Sequence, residues 1–207
     1  MAKPIIIVDY GMGNLNSVVK KVSSLNVNAI ISSKADDILN ARKIILPGVG
    51  HFGKAMENIK SLNIFEALNK SVLENKIPIL GICLGMQLMC KKSEEGNVDG
   101  FGWVDADVLR FKIKDKLKYK VPHTGWNQIS IKKSDSRLMN GISDLSEFYF
   151  VHSYYVKAKN ESVILNKTEY EQEFTSAIEK NNVFGTQYHP EKSHDAGTQL
   201  FKNFINL

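Results

Sequence analysis

Ile5-Ile6-Ile7-Val8 is a short, unbroken apolar run of β-branched residues, the pattern of a strand buried on both faces. Gly11-Met12-Gly13-Asn14 breaks it, and Val18, Val19, Val22 and Leu25 then recur at helical spacing. Ala29–Ile31 and Lys43–Leu46 predict two further strands, the second stopped by Pro47-Gly48. Met56, Ile59, Leu62, Phe65, Leu68, Val72 and Leu73 mark one long amphipathic stretch. Ile77–Leu80 reads as a fourth strand and Leu84–Met89 as the helix after it.

Strands that are nearly all apolar, alternating with helices, predict a parallel sheet covered on both faces. The second half changes character. Arg110–Val121 alternates basic and apolar residues with period two, which predicts solvated antiparallel strands. Phe148–Val151, Ser162–Leu165 and Val183–Tyr188 are further strands, and a helix over 197–206 closes the chain. The expected fold is α/β: three layers, a mostly parallel central sheet flanked by helices, with a smaller antiparallel strand set in the second half. Without an internal repeat or a linker, residues 1–207 read as a single domain. Ligands of such sheets bind at the carboxyl ends of the strands, so chemistry is sought just after Asp9, Leu46 and Leu80.

Composition narrows the class. The chain has 207 residues, 43% hydrophobic and 24% charged, which excludes a disordered tail, a fibre and a disulfide scaffold. Its apolar runs are too short to span a bilayer, and no export signal opens it, so a cytoplasmic protein with reduced thiols at Cys83 and Cys90 is expected, away from any membrane. The formal net charge of +5 is too diffuse to name nucleic acid as a partner. The lysine-rich Arg110–Lys120 run lacks stacking aromatics beyond Phe111 and Tyr119 and reads as a solvated face.

Gly81-Ile82-Cys83-Leu84-Gly85 lies between a strand and a helix and has the form of a nucleophile elbow with cysteine in place of serine. Flanking glycines allow the sharp turn, the helix amino terminus favours a thiolate, and Leu84 N–H lies beside the sulfur as an oxyanion donor. Of five histidines only His189 follows a strand and is itself followed by a stiff residue and a carboxylate, in His189-Pro190-Glu191, so Glu191 can turn back to hold its ring. Cys90, without a glycine frame, reads as an inert packed thiol. His51 packs or lines a site; His123 and His152 are structural or partner-facing. No pair has zinc-ligand spacing, so no metal is expected. Gly48-Val49-Gly50-His51-Phe52-Gly53 matches a dinucleotide fingerprint literally, but it falls after the third strand and no acidic residue ends a strand about twenty positions later, so no cofactor is expected.

Taken together, Gly81–Gln87, Pro47–Gly50 and Gln187–Ser193 resemble the triad-type (class I) glutamine amidotransferases. Asp9–Asn14, Val121–Asn127 and Tyr149–Tyr154 narrow the resemblance to the glutaminase subunits of imidazole glycerol phosphate synthase, from about Ile5 to the end of the chain. The resemblance implies that Cys83 attacks the side-chain amide of glutamine, His189 moves the proton and Glu191 orients His189. It implies that the Val49 and Leu84 N–H groups bind the oxyanion and that Gly50, Gln87, Ser153 and Tyr154 hold glutamine. It implies that Asn14, Trp126, Tyr149 and Lys192 face a (β/α)8-barrel cyclase in a heterodimer, which receives ammonia through a channel for histidine biosynthesis. The constellation spans most of the chain, so another chain is expected to consume the ammonia. Two alternatives stay open. Ser193-His194-Asp195-Ala196-Gly197 is similar to a branch serving synthases that aminate or amidinate sugars of surface polysaccharide, and a stand-alone cysteine hydrolase would use the same nucleophile.

Overall fold

The structure, a computed structural model, describes residues 3–207. Its strands are β1 (Ile5–Val8), β2 (Ala29–Ser32), β3 (Lys43–Gly48), β4 (Ile79–Cys83), β5 (Lys92–Ser93), β6 (Val98–Asp99), β7 (Ala106–Arg110), β8 (His123–Gln128), β9 (Ser130–Ile131), β10 (Glu147–His152), β11 (Tyr154–Ala158), β12 (Ile164–Tyr170), β13 (Gln172–Lys180) and β14 (Val183–Thr186). The helices are α1 (Leu15–Ser23), α2 (Ala35–Leu39), α3 (Phe52–Ser61), α4 (Phe65–Asn69), α5 (Leu84–Leu88) and α6 (His194–Ile205).

The main sheet runs β2-β1-β3-β4-β14-β13-β11-β7-β5-β6, with β12 on β13 and β9 on β12. Strands β2, β1, β3, β4 and β14 are mutually parallel. From β13 onward the pairing is mostly antiparallel. Strands β8 and β10 form a separate antiparallel ribbon. The expected α/β architecture is therefore present.

Period two along the strands sorts the apolar side chains into two cores, one on each face of the sheet. Ile6, Val8, Ile44, Leu46 and Ile79 pack with residues of α2 to α5. Ile5, Ile7, Ile45, Leu80 and Ile82 pack with α1, α6 and the inward face of the ribbon, Phe148 and Phe150. Three layers follow directly from strands with no polar face.

Several elements differ from expectation. The strand over 43–46 does not stop at Pro47. It continues to Gly48, with Pro47 opposite Ile82 and Gly48 opposite Cys83, and the Pro47 carbonyl accepts a hydrogen bond from the Tyr10 hydroxyl at 2.8 Å. The long helical stretch breaks after Ser61, where Asn63 takes a left-handed φ of 56°. Helix α2 was not anticipated from the apolar pattern. Strand β2 is an edge strand, with Ile30 and Ile31 partly exposed.

The largest correction concerns Arg110–Val121, which is not a pair of solvated strands. Only its first residue belongs to β7, and the rest is a loop. The backbone donors there bond to carboxylates instead of a ladder. Glu171 accepts from Lys114 N–H and Asp115 N–H, and Asp115 accepts from Leu117 N–H and Lys118 N–H. Alternation alone did not reveal that capture, because the acceptors lie elsewhere or in the loop itself. Among the described residues, no helix is long and apolar enough to cross a membrane.

Candidate active site

The carboxyl ends of β3, β4 and β14 meet in the middle of the sheet, the location that parallel topology reserves for ligands. Cys83 ends β4 and precedes α5 with φ 54° and ψ −108°. That conformation is strained for a residue with a side chain, by an amount on the order of 1–3 kcal/mol. The surrounding glycines enforce it by close approach. At Gly85 a Cβ would sit 1.7 Å from the Leu46 carbonyl oxygen, and at Gly81 2.7 Å from the backbone of Gly85 and Met86. Helix α5 can begin hard against β3 and β4 only when both positions lack a side chain.

His189 lies three residues beyond the end of β14, where its N–H bonds to the Tyr149 carbonyl. Pro190 then opens a short 3-10 turn over Pro190–Lys192. The turn folds Glu191 back so that its Oε1 meets His189 Nδ1 at 2.7 Å, with both side chains buried. His189 Nε2 and Glu191 Oε2 have no hydrogen-bond partner there. Burial by itself would lower the His189 pKa. The Cys83 sulfur and then the Glu191 carboxylate overcome that effect and raise it to about 10. The imidazolium is thus the favoured form of His189.

A cleft of about 370 Å³ opens over the sulfur. It is lined by Val49, Gly50, Cys83, Leu84, Gln87, Ser153 and Tyr154, which brings together every residue read from the sequence as an oxyanion or substrate position. Val49 is 40% exposed in the loop after β3, and Gly50 holds φ 114° with Met12 close by. Leu84 is the first residue of α5, and Gln87 donates to the Tyr154 carbonyl at 2.9 Å.

Three groups at the site escaped the sequence reading. Gln187 Nε2 lies 3.6 Å from Cys83 Sγ, and the Val151 carbonyl lies 3.8 Å from it. A polar residue ending an apolar strand was the available signal for Gln187. Glu95 also lines the cleft, and its Oε2 accepts from Phe52 N–H at 2.7 Å. Nothing local marks Glu95. Its carboxylate thus occupies one N–H at the amino terminus of α3, next to the glycine-rich Gly48–Gly53 segment. His51 caps the same helix, its Nδ1 accepting from Lys54 N–H at 3.4 Å.

Cys90 is buried, with its sulfur near the Met86 carbonyl, and burial pushes its thiol pKa up. Among the described residues, no group of three or more His, Cys, Asp or Glu side chains converges on a point that could hold a metal ion.

Outside the cleft, Trp126, Tyr149 and Lys192 form one surface cluster. Trp126 stacks flat on His194 with centroids 4.9 Å apart, and meets Tyr149 across the ribbon at 6.0 Å. Lys192 Nζ lies 5.4 Å from the Tyr149 ring centre. Asn14 caps α1 instead, its side chain accepting from Ser17 N–H at 3.4 Å.

The sequence and fold have clear counterparts. The profile of the family "Glutamine amidotransferase class-I" matches residues 6–207. The chain is 47% identical over 203 residues to the imidazole glycerol phosphate synthase subunit HisH 2 of Methanococcus maripaludis, covering 97% of this chain and 98% of that protein. It is 44% identical to the subunit HisH 2 of Pseudomonas aeruginosa, covering 98% and 99%, and 46% identical to the subunit HisH of Methanocaldococcus jannaschii, covering 97% and 98%. Among solved structures, PurLQS from Thermotoga maritima is similar in fold, with a TM-score of 0.74 at 18% identity and 99% of both chains covered. The glutaminase domain of Trypanosoma brucei CTPS with bound acivicin gives a TM-score of 0.68 at 18% identity, covering 99% of this chain and 94% of that one. An elbow cysteine, a buried histidine–carboxylate pair and a shared cleft thus accompany similarity along almost the whole sequence: the chain belongs to the class-I glutamine amidotransferase family.

Proposed function

We propose that this protein is the glutaminase subunit of an imidazole glycerol phosphate synthase, acting as one catalytic domain over its whole length. The observation that carries the chemistry is the buried His189–Glu191 pair beside Cys83, whose sulfur opens onto a cleft of a size suited to an amino acid. The relatives named HisH carry the pathway.

In this reading the Cys83 thiolate attacks the side-chain amide carbon of glutamine. The negative charge that develops on oxygen is held by Leu84 N–H and Val49 N–H. His189, protonated and oriented by Glu191, gives its proton to the departing nitrogen, so ammonia leaves and a glutamyl thioester remains. Water then attacks the thioester while His189 accepts its proton. Glutamate departs and the thiol is restored, so one water is consumed for each ammonia released. Gly50, Gln87, Ser153 and Tyr154 shape the cleft around the amino-acid end of the substrate. No step requires a metal or cofactor.

Losing one oxyanion donor costs about 3–4 kcal/mol of barrier, a factor of ~10²–10³. The exposed Val49 loop is therefore an effective place to control the reaction. The cluster of Trp126, Tyr149 and Lys192, together with Asn14, faces a (β/α)8-barrel cyclase in a heterodimer, which takes up the ammonia through a channel. The reaction runs in the cytoplasm, where both thiols remain reduced.

A second reading keeps the chemistry and changes the acceptor. His194, from the segment similar to the sugar-modifying branch, lies directly on Trp126, so the identity of the partner is read at that face. The test is glutamate release from glutamine by the isolated chain and by its complex with a barrel cyclase and that enzyme's ligand. The expected result is weak activity alone, strong activity in the complex and none in Cys83→Ser. Absence of glutamate under every condition overturns the proposal. Activation only by a sugar-modifying synthase supports the second reading.

A further inference from the structure

A chain of hydrogen bonds runs from the ribbon that carries Trp126 to the sulfur of Cys83. Asn127 Nδ2 lies 3.3 Å from His123 Nε2, His123 Nδ1 lies 3.1 Å from His152 Nε2, and His152 Nδ1 lies 2.8 Å from the Tyr154 carbonyl. The same carbonyl accepts from Gln87 Nε2 at 2.9 Å, and Gln87 Nε2 also donates to Gln187 Oε1 at 3.0 Å. Gln187 Nε2 then faces Cys83 Sγ at 3.6 Å.

The Tyr154 carbonyl fixes every orientation in this chain, because a carbonyl can only accept. His152 must carry its proton on Nδ1, which makes Nε2 of the neutral ring an acceptor. His123 must then donate from Nδ1, and its Nε2 accepts from Asn127. On the other side, Gln87 must turn its NH2 group toward Tyr154. That leaves Gln187 to present its oxygen to Gln87 and its NH2 to the sulfur. Asn127 is fixed independently, since its oxygen accepts from Gln128 N–H at 2.8 Å and its NH2 also reaches the Glu169 carbonyl at 2.9 Å.

Burial pushes both imidazoles toward the neutral form, His123 to about 4 and His152 to about 3. His123, His152, Gln87 and Gln187 are all buried, so a wrongly turned amide or ring would leave an unpaired polar atom out of reach of water.

The pairing of the ribbon gives the arrangement its direction. Trp126 is opposite Tyr149 on the outward face, and His123 is opposite His152 three residues along, an odd step that puts this pair on the inward face. One pair of strands therefore presents an aromatic contact to the outside and an imidazole pair to the inside, where His152 lines the cleft and His123 stands behind it.

We propose that His123 and His152 are positioning residues of the glutaminase site: their hydrogen-bonded pair holds the Tyr154 carbonyl that orients Gln87 and, through it, Gln187, keeps an N–H directed at the Cys83 sulfur, and links that donor to the ribbon carrying Trp126. This inference rests on the glutaminase reading, but its first test does not need glutamine.

Two variants separate positioning from packing. His123 stacks on Tyr170 with centroids 4.0 Å apart and on Phe150 at 4.9 Å, and it does not line the cleft. His123→Phe keeps that stacking and removes both ring nitrogens. His123→Asn places an amide donor near the position of Nδ1. The readout is the rate of Cys83 alkylation by iodoacetamide as a function of pH in the full-length protein, with Cys83→Ala as the control for labelling at Cys90. His123→Phe is expected to slow alkylation at pH 7 by roughly tenfold, the scale of one hydrogen bond to a charged group, and to move the pH profile upward. His123→Asn is expected to recover most of the rate. In the complex with its synthase, His123→Phe should lower kcat for glutamine by a similar factor while KM changes less. Equal rates in wild type and His123→Phe, or equal loss in both variants, overturn the proposal. A wild-type complex that is alkylated normally yet releases no glutamate overturns the glutaminase reading instead. Nitrogen-15 NMR of the unsubstituted protein supplies a check independent of variant folding. Both rings should appear at pH 7 as neutral tautomers protonated on Nδ1, and an Nε2–H tautomer or an imidazolium at either position refutes the chain.

Discussion

His189 and Glu191 share a single hydrogen bond of 2.7 Å, and each keeps its remaining polar atom buried without a partner. A core built only for stability would not leave Nε2 and Oε2 unsatisfied, since each costs on the order of 1–3 kcal/mol. The geometry fits a group held ready to exchange a proton with the sulfur and with a substrate. Glu191→Gln keeps the volume but removes the charge that helps hold His189 protonated. The expected result is a fall in kcat for glutamine hydrolysis of at least roughly tenfold, and up to about 10⁴-fold if Glu191 orients its histidine as the triad aspartate does, with a smaller change in KM. A kcat within twofold of wild type would remove Glu191 from the mechanism.

The strained elbow makes a prediction about stability that contacts alone do not. Cys83 holds φ 54°, a conformation that alanine also resists and glycine accepts. Cys83→Ala and Cys83→Gly should both be inactive, yet the glycine variant should melt higher than the alanine one, by an amount equivalent to about 1 kcal/mol. Equal melting temperatures would show that the elbow is relaxed rather than strained.

The buried histidines predict opposite limbs of a pH–stability curve. His123 and His152 bind protons more weakly folded than unfolded. The unfolded chain therefore takes up protons as pH falls below 6.5, and stability declines from there toward about 4 and about 3. His189 behaves in the reverse sense. Its raised pKa adds stability that is complete below 6.5 and is lost as pH climbs toward about 10. Thermal melting should thus peak near neutrality. The acid limb should become shallower in His123→Phe and the alkaline limb shallower in Glu191→Gln. Parallel limbs in wild type and variants would show that other groups control the curve.

How much of this was legible in the sequence depended on whether the cause was local. Ile5–Val8 declared a doubly buried strand because its own residues have no polar face, and that is how it packs. Cys83 and the His189–Glu191 turn were visible because glycine and proline mark sharp bends within a few residues. The Arg110–Val121 loop misled because its pattern was strand-like, while the acceptors for its backbone included Glu171, fifty and more positions away in the chain. Pro47 misled in the opposite way. It ends many strands, but here the strand continues two residues further, to where Gly48 pairs with Cys83. Glu95 reaches the cleft and Gln187 reaches the Cys83 sulfur only through tertiary placement, so no spacing rule could join them to Cys83.

The face carrying Trp126 supplies the last prediction. Trp126 is 45% exposed, yet it is held on both sides by His194 and Tyr149, and Lys192 lies against the Tyr149 ring. A large aromatic fixed in place by its neighbours loses little freedom on binding and gives up much water, which is how interface anchors gain affinity. Little of the fold depends on it, because its side chain lies on the outward face of the ribbon and contributes to neither core. Trp126→Ala should therefore leave the melting temperature and whatever glutamine hydrolysis the isolated chain performs almost unchanged. The same substitution should weaken association with the synthase by roughly 2 kcal/mol, about thirtyfold in Kd, with a matching loss of activation at limiting partner. Calorimetric titration of the variant against the cyclase checks this directly. An unchanged Kd would move the partner interface elsewhere on the molecule. A collapse of basal activity together with the melting temperature would show that Trp126 supports the fold.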